Sequence, residues 1–224
     1  MSRRFVRTVL FVAASIALAL APHLVSAQDL PRVPRRAADA EPDYWVGLSY
    51  GIMNGLTLTD GATGNVWQFG YAPQIRANVE KRLARGVTGG VSASYTTAPL
   101  TFYSSTASSG CFNSCDANAD ITQYLAFIRG GSGTGFHGTY MLDAGATSFS
   151  NFREKGTDAK LGPTTSSYDF TFGFGGGLGY GINGTSDVYV AEQTDLVLHS
   201  QGSGANGGTA PRLFTFVLGA RIGF

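Results

Sequence analysis

Tyr168-Asp169-Phe170-Thr171-Phe172-Gly173-Phe174-Gly175-Gly176-Gly177-Leu178-Gly179-Tyr180 sorts two chemistries onto alternate positions. Tyr168, Phe170, Phe172, Phe174, Leu178 and Tyr180 form one set. Asp169, Thr171, Gly173, Gly175, Gly177 and Gly179 form the other. Successive side chains of a strand point to opposite faces. This stretch is therefore a strand with a broad aromatic and aliphatic face and a face of small or polar groups. The second face suits a narrow, crowded interior.

The pattern recurs on both sides of this stretch. Phe214, Phe216, Leu218, Ala220, Ile222 and Phe224 oppose Thr215, Val217, Gly219, Arg221 and Gly223. Tyr44, Val46, Leu48, Tyr50 and Ile52 oppose Trp45, Gly47, Ser49 and Gly51. Five weaker segments lie between. Gln74–Arg82 puts Ile75, Ala77 and Val79 outward, with Gln74, Arg76, Asn78 and Glu80 inward. Val87–Thr97 puts Val87, Val91, Ala93 and Tyr95 outward. Phe136–Thr147 puts Phe136, Tyr140, Leu142 and Ala144 outward, with His137, Thr139 and Asp143 inward. Ile121–Arg129 is apolar on both faces, so its register is unassigned. Asp187–Leu198 starts with Val188 and Val190 outward, then loses its pattern at Glu192–Asp195, where a bulge is expected. Alternation of this kind is the primary signal for half-buried strands.

The connections also alternate. Leu83–Gly86, Gly130–Gly135 and Gly181–Thr185 are short and glycine-rich, and Asn183-Gly184 is a hairpin signal. Longer polar stretches lie near 54–66, 98–119, 151–166 and 199–211. Ten residues rise about 33 Å. When tilted, they cover the roughly 25 Å apolar band of an outer-membrane barrel. The sequence therefore predicts an all-β, closed antiparallel transmembrane β-barrel. It has about eight strands in an up-and-down meander over residues 44–224.

Composition agrees with that prediction. Charged residues make up 14% of the chain and aromatics 12%, with 31 glycines. Soluble domains carry roughly 25% charged residues. Hydrophobicity that is neither concentrated in long runs nor diluted by charge must be spread by alternation. Arg3, Arg4 and Arg7 precede an apolar stretch over Val9–Ala21, which Pro22 and His23 end. The stretch is short for a spanning helix, which needs about 20 apolar residues. With Val25-Ser26-Ala27 after it, residues 1–27 are expected to be a signal peptide cleaved after Ala27. Residues 28–43, with Pro31, Pro34, Arg35, Arg36 and Pro42, read as a flexible periplasmic leader. Cleavage removes three arginines and no acid, taking the formal charge from +1 to about −2. No basic patch then remains for phosphates, which excludes nucleic acid as a partner.

Cys111 and Cys115 fit a local disulfide in an exported chain, with a metal pair as the rival reading. Gly133-Gly135-Gly138 and Gly202-Gly204-Gly207 match a dinucleotide-loop spacing. They lack the strand-then-helix context, so no cofactor is expected. Arg76, Glu80, Arg129, Asp143, Asp169 and Arg221 fall on inward positions. An eight-stranded barrel is just filled by side chains, and charges buried there need partners. They read as an ion-pair network plugging the lumen, or as a narrow gated ion path. Phe102, Tyr103 and Phe112 read either as an exposed binding surface or as girdle residues at the membrane interface.

The final Leu218-Gly219-Ala220-Arg221-Ile222-Gly223-Phe224, with the signal peptide and the alternating strands, resembles the small outer-membrane barrels. These include the OmpA membrane domain, OmpX/Ail-type proteins and the Neisserial opacity proteins. The resemblance implies that Phe224 is part of the signal read by the barrel-assembly machinery. It further implies outer-membrane lipid and lipopolysaccharide as surroundings, and long loops facing outside. Some small outer-membrane barrels modify lipid A with a His and a Ser near a strand end. In the deacylase pattern one residue separates them. Here Ser200 adjoins His199 and Gln201 takes the expected place, so no enzyme is expected. The expected role is structural or adhesin-like, with extracellular loops as the interaction surface and an unidentified ligand. A small passive pore is the alternative, and a lipid A-modifying enzyme ranks behind both.

Overall fold

A computed structural model describes residues 41–224 except 60–63, 105–110, 112, 162–166 and 200–210. The signal peptide, most of the leader, Phe112, Ser200 and the Gly202-Gly204-Gly207 motif lie outside the described residues. Ten strands are present among those described. They are β1 (Tyr44–Met53), β2 (Thr57–Thr59), β3 (Val66–Phe69), β4 (Ala72–Ala84) and β5 (Val87–Tyr103). Then follow β6 (Ser114–Gly130), β7 (Gly135–Glu154), β8 (Ser167–Gly181), β9 (Ser186–Leu198) and β10 (Arg212–Gly223).

Eight of them close a ring. Each of β4 to β10 pairs antiparallel with the next, β1 pairs with β4, and β10 returns to β1 from Trp45↔Gly223 to Met53↔Thr215. The closed antiparallel barrel and its meander order follow from these pairings. Closure leaves no open edge. The short β2–β3 hairpin sits in the first long connection and adds β3 to the upper end of β5, with Phe69 opposite Leu100. The turns between β4 and β5, β6 and β7, and β8 and β9 are short. Gly86 takes φ 71° in the first of them, where a side chain would be strained.

Lengths are unequal. β5 and β6 have 17 residues each and β7 has 20, against 10 for β1 and 12 for β10. The second long connection is thus shorter than the expected 98–119, because β5 runs on to Tyr103 and β6 begins at Ser114. These three strands rise above the rest of the barrel, and the chemistry of their faces inverts along them. Lower down, Val91, Tyr95, Tyr124, Ile128, Tyr140 and Leu142 face outward and are exposed. Higher up, Thr97, Asp116 and Asn151 face outward, while Leu100, Phe102, Ile121, Phe149 and Phe152 turn inward and are buried. The upper part is therefore patterned like a soluble protein and the lower part like a lipid-facing barrel.

The inversion explains why Ile121–Arg129 is apolar on both faces. This segment crosses the boundary, so Ile121, Leu125 and Phe127 fill the interior while Tyr124, Ala126 and Ile128 face out. A bulge sits in the same region. The β6–β7 register shifts between Asn118 and Asp120, and Asn151 takes φ 55°. The extra residue lets Phe149 and Phe152, three apart, both point inward, which unbroken alternation forbids. The bulge expected at Glu192–Asp195 is absent. Pairing runs unbroken from Gly181↔Asp187 to Phe170↔Leu198 and from Ser186↔Ile222 to Leu196↔Arg212. Glu192 and Thr194 are polar residues on the outer face, so the sequence pattern breaks in chemistry while the geometry stays regular.

The last leader residues are tied down. Arg82 donates to the Glu41 carbonyl at 2.7 Å and pairs with Asp43, and the Gly86 amide and the Ser132 hydroxyl donate to the Glu41 carboxylate. Glu41–Asp43, the last residues of the expected leader, thus dock on the short-turn rim.

Candidate functional site: the filled lumen

Inward positions of β1 and β4–β10 fill the barrel in layers. The layer nearest the short turns is an ion network around Glu80. Its Oε1 meets Arg129 at 2.9 Å and its Oε2 meets Arg221 at 3.0 Å. Asn78 and Thr88 donate to the same carboxylate at 2.7 and 2.5 Å. Arg221 also donates through Nε to Asp187 at 2.9 Å, and His137 Nε2 lies 3.4 Å from the same carboxylate oxygen. The two guanidinium groups lie against aromatic faces, Arg221 on Trp45 at 4.6 Å and Arg129 on Tyr189 at 4.7 Å.

The middle layer is built from amides. Gln193 donates to Asp143 at 2.9 Å and to Asp195 at 2.7 Å, while its carbonyl accepts from Arg76. Gln123 donates to Asp195 at 3.0 Å, and Gln74 accepts from Arg76 at 3.3 Å. Gly173 makes this layer possible. A Cβ there would stand 2.2 Å from Asp195 Oδ1 and 2.7 Å from Asp143 Oδ1. Arg76 and Asp143, read from sequence as ion-pair members, contact amides, and no carboxylate lies within ion-pair distance of Arg76 among the described residues.

Above these layers the interior becomes apolar. Trp67 tilts against Phe152 at 4.5 Å and Phe149 at 6.3 Å, surrounded by Met53, Leu58, Leu100, Phe102, Ile121 and Leu213. Phe102 belongs to this core, so it is neither an exposed binding residue nor a girdle residue. Tyr103, next to it, is exposed. His199 lies edge-on to Trp67 at 5.5 Å and meets Asp169 at 2.7 Å. Asp169 thus stands apart from the other inward charges, in the apolar layer. The other acidic residues of β9 near His199 do not contact it: Glu192 faces outward and Asp195 belongs to the amide layer. Cys111 and Cys115 form a disulfide, with Cα atoms 5.8 Å apart, at the edge of the apolar core. Phe224 closes the barrel seam, exchanging backbone hydrogen bonds with Tyr44 at 2.9 and 3.1 Å, and its ring stacks on Tyr44 at 6.2 Å.

Asp187, Gln193 and Gln123 carry no predicted role in the sequence. The first two follow strict period two along β9, as Asp187-Tyr189-Ala191-Gln193-Asp195. The period is visible in the sequence when Glu192 is placed on the outward face.

Solved structures share the overall arrangement. Neisserial surface protein A aligns over 83% of this chain and 99% of its own, at 11% identity and a TM-score of 0.47. Outer membrane protein OprG from Pseudomonas aeruginosa aligns over 84% and 98%, at 14% identity and a TM-score of 0.43. Ail, the attachment invasion locus protein of Yersinia pestis, aligns over 83% and 100%, at 13% identity and a TM-score of 0.42. The chain is similar to small outer-membrane barrels. No protein-family model and no curated protein matches it.

Proposed function

We propose that this chain is an integral outer-membrane β-barrel whose filled lumen makes it an anchor. Its work is surface interaction through the long loops, in the manner of an adhesin, with no catalysis and no conduction. The observation that carries the reading is the outer surface. Large apolar side chains stand exposed on every strand of the ring, among them Leu48, Ile75, Val91, Ile128, Leu142, Phe174, Val190 and Leu218. A monomer in water rarely leaves more than about a few hundred Å² of contiguous apolar surface exposed. A partner protein covers one side, whereas an all-round band matches the hydrocarbon of a bilayer. Aromatic residues stand at both limits of the band: Tyr44, Phe136, Tyr180 and Phe224 at the short-turn end, Tyr71, Tyr95 and Tyr168 toward the long loops.

The polar ladder just above supports the same boundary. Tyr95 and Thr97 donate to Asp120 at 2.9 and 2.8 Å, Asn151 donates to it at 3.0 Å, and Arg153 links Asn151 to Asp158. Surroundings of lipid and lipopolysaccharide, delivery by a cleaved signal peptide and insertion by the barrel-assembly machinery through Phe224 belong to this proposal. The ligand of the loops is left open.

Band position sets a depth-dependent expectation. Leu218→Arg places a charge on the outer face between Tyr50 and Val190 and should cost roughly 2–4 kcal/mol in lipid vesicles. Thr97→Arg, above the band, should change stability by no more than about 0.5 kcal/mol. Equal costs for the two, measured by denaturant unfolding, would remove the band from its assigned place.

Orientation is tested by surface labelling in intact cells. A cysteine at Asp158, on the tip after β7, should react with a membrane-impermeant maleimide. A cysteine at Asn183, in a short turn, should react only after the outer membrane is permeabilised. The reverse pattern, or equal labelling of both, contradicts the proposal.

A further inference from the structure

We infer that the outer face of β8 and β9 is an interface between two copies of this chain in the membrane, centred on Glu192. Glu192 does not fit a bare lipid-facing wall. Its side chain points outward and is exposed, between Phe216 on β10 and Gly176 on β8. Val190, Leu178, Phe174, Phe216 and Leu218 surround it, all apolar and exposed. Lys81, level with Tyr44, and Arg212, at the loop end of β10, stand at the limits of the band, whereas Glu192 stands within it. Its carboxyl has no hydrogen bond or ion pair among the described residues. With the band in lipid, the placement on which this inference rests, that carboxyl faces hydrocarbon. An ionisable group there is costly and calls for a partner.

The geometry of two barrels in one bilayer selects the partner. Copies inserted in the same membrane share their up-down orientation. A two-fold axis along the membrane normal then sets each residue opposite residues at its own level, so Glu192 meets Glu192 of the second copy. A protonated carboxyl donates and accepts, so two carboxyls complement each other, and a proton held between them leaves neither facing lipid alone. The surface beside Glu192 permits the approach. Gly176, next to it, has no side chain, and Tyr140 beyond Gly176 leans the other way, with its ring over Gly130. A Cβ at Gly138, opposite Leu178, would meet nothing within 4 Å. Glu192 thus borders a dent in an otherwise bulky apolar wall, and small residues let membrane-embedded backbones come close, as they do between helices.

Single-molecule photobleaching in lipid vesicles counts the copies. The refolded chain, labelled through Asn183→Cys in a short turn, should pass from one to two bleaching steps as the protein-to-lipid ratio rises. Glu192→Gln, whose amide also donates and accepts, should keep this transition. Glu192→Leu should need about tenfold more protein per lipid to reach it, the loss of the hydrogen-bonded pair. Gly176→Leu, which fills the dent, should shift it in the same direction. A Cβ at Gly176 has its nearest neighbour, the Thr139 carbonyl oxygen, at 3.6 Å, so this variant should fold. Val91→Leu, on the far wall of the ring, should change nothing. A chain that inserts, as shown by heat-modifiable migration on a gel, yet stays single at every ratio overturns the interface and leaves the bilayer placement standing. Failure to insert overturns the placement itself. Equal association of the unaltered chain and Glu192→Leu also overturns the interface, even if Gly176→Leu does not fold.

Discussion

Glu80→Ala should be among the most destabilising single changes in the barrel, at about 3–5 kcal/mol. Glu80 is fully enclosed and is the only carboxylate that contacts both Arg129 and Arg221 among the described residues. Removing it leaves Arg129 without an acidic partner and strips hydrogen bonds from Asn78 and Thr88. Arg221 keeps Asp187. The cost is that of a buried charge without its counter-charge, far above the median exposed ion pair at about 0–1 kcal/mol. Glu80→Gln keeps the shape and one acceptor oxygen and should cost distinctly less than Glu80→Ala. The exposed pair of Arg153 and Asp158 is the internal control, since Asp158→Ala should fall within about 1 kcal/mol. Urea unfolding in lipid vesicles measures all three. A Glu80→Ala barrel as stable as the parent would show that the lumen layer contributes packing alone.

The second large effect belongs to the upper core. Trp67→Ala should cost roughly 3–5 kcal/mol, the range for removing a large aromatic from a packed interior. Trp67 is 1% exposed and joins Phe149, Phe152 and His199. The damage should also be local. β3, which carries Trp67, is held to the barrel by four register pairs with β5, from Val66↔Tyr103 to Phe69↔Leu100. Amide exchange should therefore accelerate in β3 and in the upper halves of β5–β7, while β1 and β10 near the Tyr44–Phe224 seam keep their protection. Uniform acceleration through the whole barrel would deny the upper core its separate standing.

The two layers were unequally legible in the sequence. The lower barrel was readable because a lipid-facing strand repeats a two-residue period, and β1, β8 and β10 keep it throughout. β6 and β7 hid their register because they pass from the outward apolar band into the upper part, whose outer face is polar. At that level the apolar face moves from outside to inside, so a segment spanning the change is apolar on both faces. The bulge at Asn151 hid Phe152 for a related reason, since one extra residue shifts the phase. The lumen partners were harder still. Period two places Arg76, Glu80 and Arg221 on inward positions but says nothing about which strands face each other across the interior. Glu80 and Arg221 meet across 141 positions of sequence. Closure of the ring and its register bring them together, and neither is a local property of the chain.

The filled interior distinguishes an anchor from a pore, and single-channel recording in planar bilayers tests it most directly. Refolded chain inserted into the bilayer should show no discrete current steps at moderate voltage, because the ion layer, the amide layer and the Trp67 core lie in series along the lumen. Reproducible unitary steps from the unaltered chain, present across preparations and altered by substitutions at Arg76 or Glu80, would contradict the account.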